Sequence, residues 1–179
     1  MKRILVLSSS ARKGGNSDSL ADEFIRGAQE SGHEVEKVMV DRLKMHGCLG
    51  CDSCKRKPGI CCVQKDDMFP LYEKFLSSDV IVFASPVYYY AVNAQLKAVM
   101  DRTYGILEQL KGKTFYLITS GASPKAGPFY DHIREEFQLY LDCFEGMKVG
   151  GVIIGENGTG RGVMSDADKA EAYNAGKNA

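Results

Sequence analysis

The 179-residue sequence predicts an open, doubly wound α/β domain, with five parallel strands in the order 2-1-3-4-5 and helices on both faces. Three observations point there. Short apolar runs alternate along the chain with segments whose apolar residues recur at helical spacing. Two of the runs, "RILVLS" and "DVIVFASP", are almost wholly apolar, as strands buried on both faces are. No repeat, low-complexity tract or long linker breaks the alternation, so residues 1–179 read as one domain carrying a cysteine-rich loop at 46–67.

"RILVLS" is the first strand, and residues 17–31 place Leu20, Phe24 and Ala28 on one face of a helix. "HEVEKVMV" alternates as the second strand and runs into the cysteine loop. A short helix from about Asp67 to Leu76 leads to the third strand, "DVIVFASP", which Pro86 stops. Val92, Leu96, Val99, Met100, Tyr104 and Leu107 predict an amphipathic helix over 92–110. "KTFYLITSG" is the fourth strand. Phe129, Ile133, Phe137, Tyr140, Leu141 and Phe144 predict a helix over 128–145. "KVGGVIIGENG" is the fifth strand, and "SDADKAEAYNAGK" forms a last helix with Ser165 as its cap. In such a sheet, ligands bind at the carboxyl ends of the strands, which directs attention to the loops after strands one, three and four.

The 23 basic residues balance 23 acidic ones, so no large basic field is available for nucleic acid or a membrane surface. The opening apolar run is too short for a signal segment or a span. The cytosol, where thiols stay reduced, is the expected compartment.

The first loop reads "SSSARKGGNSDS". Gly14 and Gly15 allow positive φ and inward-turned amides. Asn16, Ser17 and Ser19 bring polar side chains and free N–H groups to a helix start, where the macrodipole favours an anion. Ser10 and Arg12 add a hydroxyl and a fixed positive charge. This suits a terminal phosphate, against the competing reading of an ordinary capped turn. Neither the dinucleotide nor the triphosphate glycine pattern is present, so a monophosphate is preferred. After strand three, Pro86, Val87, Tyr88 and Tyr89 form an apolar, aromatic lip, and after strand four Ser120 and Gly121 open a small loop. A planar heterocycle fits between two such loops. The competing reading packs the tyrosines over the sheet edge.

"SSSARKGGNS" together with "SPVYYYAVNAQLKAVMDR" resembles the NAD(P)H-dependent FMN reductase family of flavodoxin-like proteins, from the N-terminus to about Gly158. Ser10, Arg12, Gly15, Asn16 and Ser17 fall on its first motif, and Pro86, Tyr88, Gln95, Leu96, Lys97, Asp101 and Arg102 on its second. Ser9 departs from it, standing where glycine is common. The resemblance implies a flavodoxin-like fold and one FMN per subunit. Ser10, Arg12, Asn16, Ser17 and Ser19 would hold the phosphate. Pro86, Val87, Tyr88 and Tyr89 would face the ring, with Ser120 and Gly121 at its other edge. It also implies NAD(P)H as co-substrate and a homodimer or homotetramer.

Five of the six cysteines lie in the loop at 46–67. Cys48, Cys51 and Cys54 are spaced C-x2-C-x2-C, and Cys61 and Cys62 follow. Such a run can wrap one [4Fe–4S] cluster, whereas structural zinc more often uses two separated pairs. Gly47, Gly50 and Gly59 supply bends, and Lys55, Arg56 and Lys57 offset thiolate charge. Reduced thiols, zinc and a disulfide are the competing readings. The segment also resembles the cysteine motif of the iron–sulfur flavoproteins, a branch of the same family; its "CVQKDDM" ending makes Cys62 the fourth ligand, with Cys61 the alternate.

The expected function is that of an FMN-dependent oxidoreductase passing electrons from NAD(P)H or a reduced carrier, with or without a cluster, to a small-molecule or protein acceptor. The alternative is a non-catalytic flavodoxin-like electron carrier or redox sensor. The cofactor carries the chemistry, so no catalytic side chain is named. Cys143 reads as a small buried hydrophobe, and His33, His46 and His132 as incidental.

Overall fold

The computed structural model describes residues 1–56, 59, 62–156, 158–160 and 162–179. In chain order the elements are β1 (Arg3–Ser8), α1 (Asn16–Glu30), β2 (Glu34–Met39), α2 (Met68–Ser77), β3 (Val80–Tyr88), β4 (Ala91–Val92), α3 (Ala94–Arg102), β5 (Thr114–Ser120), α4 (Pro128–Asp142), β6 (Lys148–Gly155) and α5 (Asp166–Lys177). Short 3-10 turns occupy Val40–Arg42, Ser53–Lys55 and Thr103–Ile106.

The parallel strands run β2-β1-β3-β5-β6, and β4 pairs antiparallel with the end of β3 through Val87↔Val92 and Tyr88↔Ala91. The expected five-stranded sheet is therefore corrected to six strands. Two residues are too few to show a period, so β4 has no sequence signature. The fourth and fifth expected strands are β5 and β6.

Side-chain alternation splits the core between the two faces. Ile4, Val6, Val82 and Ile118 pack under α1 and α5 with Leu20, Phe24 and Ala172. Leu5, Leu7, Phe83 and Leu117 pack under α2, α3 and α4 with Phe75, Val99 and Phe137. Ser165 Oγ accepts from Asp168 N at 3.1 Å, the expected cap of α5. The helix expected over 92–110 is shorter. α3 stops at Arg102 and tightens into the turn Thr103–Ile106, with Thr103 Oγ1 donating to Met100 O at 2.6 Å. That turn keeps Ile106 buried, so the apolar spacing carries on past the helix end. Cys143 is exposed rather than buried, because it follows α4 on the solvent side, and its thiol donates to Leu139 O. Among the described residues no helix is long and apolar enough to cross a membrane.

Candidate functional site

A cleft opens at the carboxyl ends of β1, β3, β5 and β6. Ser10, Arg12, Asn16 and Ser17 line it on one side, Pro86, Val87 and Tyr88 on a second, and Ser120 and Gly121 on a third. Nine of the eleven residues expected around the flavin thus meet in one place. The exceptions are Ser19 and Tyr89. Gly158 and Gly160, after β6, complete the lining. They belong to no motif, and sequence reasoning missed them.

The first loop is shaped from beneath. Asp18 is buried and accepts from Ser8 Oγ at 2.7 Å and from Gly14 N at 2.8 Å, while Lys37 Nζ pairs with it at 2.7 Å. Burial works against the Asp18 charge, yet the bonds from Lys37, Ser8 and Gly14 hold its carboxyl below the usual range. Gly14 takes φ +66, as expected, but Gly15 does not; its φ is −68. Gly15 is needed for space, since a Cβ there would stand 2.7 Å from Ser10 Oγ and 2.9 Å from Arg12 O. Ser9 is buried and turns its hydroxyl to Ala84 O at 3.0 Å, so the serine that replaces the family's glycine stays out of the cleft.

The polar side chains at the start of α1 divide. Ser17 Oγ is buried and has no partner, an orphan at the helix N-terminus facing the cleft. Ser19 Oγ donates back to Asn16 O at 2.8 Å. Asn16 is committed to the loop after β6, donating to Gly160 O at 3.0 Å and accepting from Val163 N at 3.1 Å. Its amide clamps the far wall of the cleft, which the local motif could not show.

The aromatic lip is a hairpin. Tyr89 and Tyr90 join β3 to β4 with φ +50 and +66, the pair of positive angles that a two-residue hairpin turn demands. Bulky residues rarely sit there, and each costs about 1–3 kcal/mol. The turn throws Tyr89 fully into solvent, so it does not face the cleft as expected, whereas Tyr88 does. Tyr90 packs on Phe129 with ring centroids 5.1 Å apart. Behind the lip, Asn93 caps α3 by accepting from Leu96 N and donates to Ser9 O at 2.6 Å, tying the first loop to the third. On the opposite edge, Gly121 N donates to Gly155 O and Gly158 N to Gly121 O. A Cβ on Gly121 would meet Phe129 at 2.9 Å.

The cysteines form a separate site. Cys48, Cys51, Cys54 and Cys62 line one cavity of about 80 Å³ with Tyr72, Arg102 and Tyr104. Cys61 lies outside the described residues, as does Lys57. The five described cysteines are free thiols, and among the described residues no three metal-ligating side chains converge on a single ion. Gly50 N donates to Cys48 Sγ at 3.4 Å. Burial pushes the Cys54 thiol up, and Cys48, Cys62 and Cys51 add to the shift. Hydrogen bonds with Ser53 pull Cys51 down.

The segment closes at a neck. Lys44 N donates to Asp67 Oδ2 at 2.7 Å, His46 N to Asp66 Oδ2 at 3.3 Å and Gln64 Nε2 to Gly47 O at 3.1 Å. His46 takes part in that neck through its backbone alone, its carbonyl accepting from Arg102. The cleft and the thiol cavity share no described lining residue. α3 spans the distance between them, with Asn93 under the cleft and Arg102 at the thiols, about 14 Å along a nine-residue helix.

A parallel sheet of this order, with a donor-rich first loop and an apolar third loop at its carboxyl edge, defines a flavodoxin-like protein. The fold matches the NAD(P)H:quinone oxidoreductase from Methanothermobacter marburgensis, with a TM-score of 0.80 at 17% identity over 99% of this chain and 95% of that one. The profile of the NADPH-dependent FMN reductase family matches residues 2–145, and the chain belongs to that family, in its iron–sulfur flavoprotein branch. It is 43% identical over 115 residues to an iron–sulfur flavoprotein of Archaeoglobus fulgidus, covering 63% of this chain and 51% of the relative. To one of Methanosarcina thermophila it is 33% identical over 128 residues, 70% and 66% of the two chains. The chain thus spans between half and two thirds of the length of these two relatives.

Proposed function

We propose that this chain is an FMN-dependent oxidoreductase that takes electrons from NAD(P)H or a reduced carrier and passes them to an acceptor, with a [4Fe–4S] cluster in the thiol cavity. The observation that carries the flavin assignment is the orphaned Ser17 hydroxyl, buried at the start of α1 beside Ser10 and Arg12. A phosphate oxygen would supply the acceptor that it lacks, and the helix N-terminus and Arg12 favour the charge.

The remaining residues orient the ligand. Ser10 and Gly15 set how closely the first loop approaches the phosphate, Pro86, Val87 and Tyr88 offer an apolar face, and Ser120 and Gly121 lie at the other wall. Four thiols around one cavity are the donor set of a cubane, which takes one thiolate at each iron and so does not need them to converge on a point. When bound, the flavin supplies two-electron acceptance with single-electron release, and the cluster one-electron storage. No protein acid or base is invoked.

The test is a spectrum of anaerobically purified protein, followed by NAD(P)H addition. Flavin absorption, binding of added FMN and reduction faster than that of free flavin are expected. Binding without such reduction would make the protein an electron carrier or sensor, and a failure to bind FMN would end the proposal.

A further inference from the structure

Arg102 has a buried side chain, 1% exposed, yet it is spent on the cysteine segment rather than on the core. Its NH1 donates to Asp66 Oδ2 at 2.5 Å and to His46 O at 3.2 Å, and its NH2 donates to Cys62 Sγ at 3.4 Å. Its Nε is buried without a partner, and its carbonyl accepts from Tyr72 OH at 3.1 Å. One guanidinium therefore grips the start of the segment, its end and one of the four thiols. Burying a cation is costly unless it is paired, and the polar partners at hand are Asp66 and the thiol side of the cavity.

We propose that Arg102 is a positioning residue of the thiol cavity: it fixes Cys62 as the fourth thiol and sets a permanent positive charge beside it, raising the reduction potential of a cluster held there. This rests on the cluster reading above. The physics is a charge balance. Four thiolates and a cluster that gains an electron accumulate negative charge, and a fixed cation 3.4 Å from one sulfur stabilises the reduced state more than the oxidised one. Asp66 takes the other terminal nitrogen of the same guanidinium, and its carboxylate acts in the opposite sense. Lysine could carry the charge but not the fork, which needs donors aimed at three acceptors.

The test is anaerobic dithionite titration of reconstituted wild type, Arg102→Gln, Arg102→Lys and Asp66→Asn, following cluster absorbance, iron content and the flavin bands in the same sample. Arg102→Gln is expected to disfavour cluster reduction about tenfold, 59 mV for a one-electron couple, with the flavin unmoved. Asp66→Asn moves the potential upward. Arg102→Lys stays within about threefold of wild type if it keeps its iron. Should Arg102→Gln fail to hold iron, retention by Arg102→Lys with the upward shift of Asp66→Asn supports the proposal. Potentials unchanged in Arg102→Gln at full iron content, or shifts of the same sign in Arg102→Gln and Asp66→Asn, overturn it. A wild-type protein that takes up no iron overturns the cluster reading itself.

Discussion

Ser17 and Ser19 stand two positions apart at the start of α1, and their hydroxyls have different fates: Ser19 Oγ donates to Asn16 O at 2.8 Å, while Ser17 Oγ is buried with no protein partner. A buried unsatisfied hydroxyl costs about 1–3 kcal/mol, and a hydrogen bond to a charged group returns a similar amount. Ser17→Ala should therefore keep or gain stability without FMN and bind FMN about tenfold more weakly. Ser19→Ala should bind as wild type does. Flavin-fluorescence titration and thermal melts read both. Equal losses at the two positions would remove Ser17 from the phosphate seat.

Gly15 is set by the room it leaves. The methyl group of Gly15→Ala would collide with Ser10 Oγ and Arg12 O, forcing the first loop outward. FMN affinity is expected to fall at least tenfold while circular dichroism stays native. An unchanged Kd would show that the loop yields without consequence.

Asp18 and Lys37 predict a pH window with two edges. The Asp18 carboxyl titrates below its ordinary value, so its contribution is complete above about pH 3.9 and lost as the pH falls through the lower native value. Burial opposes the charge on Lys37, but its bonds to Asp18 and Asp22 raise it. Its contribution is complete below about pH 10.4 and lost as the pH climbs through the higher native value. Asp18→Asn should cost about 1–3 kcal/mol at pH 7 and flatten both limbs of the Tm profile. A profile that keeps its acid limb would assign that limb to other carboxylates.

For the thiols, iron analysis after anaerobic reconstitution separates ligands from bystanders. Cys48→Ser, Cys51→Ser, Cys54→Ser and Cys62→Ser should each lose most of the iron, while Cys143→Ser, on the exposed end of α4, should lose none. Cys61→Ser is expected to retain it. Loss at Cys61 with retention at Cys62 would reverse the choice of fourth ligand.

The Tyr89–Tyr90 turn holds strain that a better turn residue can relieve. Asparagine tolerates φ +50, so Tyr89→Asn should stabilise the protein by about 1 kcal/mol, and because Tyr89 does not line the cleft, FMN affinity should not change. Weaker FMN binding would place the Tyr89 ring over the ligand after all.

Residues whose place at the cleft follows from the chain next to them were legible in the sequence. Ser10, Arg12 and Ser17 sit in a βα turn whose chemistry is written in consecutive positions, and Pro86 and Gly121 mark the ends of their strands. Positions governed by distant partners were not. Asn16 read as a phosphate ligand because nothing nearby announces Gly160 or Val163 as its partners. Arg102 was legible as a position of the second family motif, but nothing near it announces His46, Asp66 and Cys62 as its partners. Tyr89 read as a wall of the cleft because no residue type in "YYYA" signals a reversal, and the hairpin that turns it outward rests on strained angles. The thiol cavity was legible as a group of residues, but its separation from the cleft depends on the length of α3.

The neck at Lys44, His46, Asp66 and Asp67 has an evolutionary consequence. A segment that leaves and rejoins the scaffold at one point behaves as a cassette: it can be exchanged without re-registering any strand, provided its socket travels with it. Half of that socket, Arg102, lies on another element of the chain. Grafting the cassette onto a cysteine-free cousin would therefore succeed only where an arginine already stands at the end of the matching helix, or is moved with it.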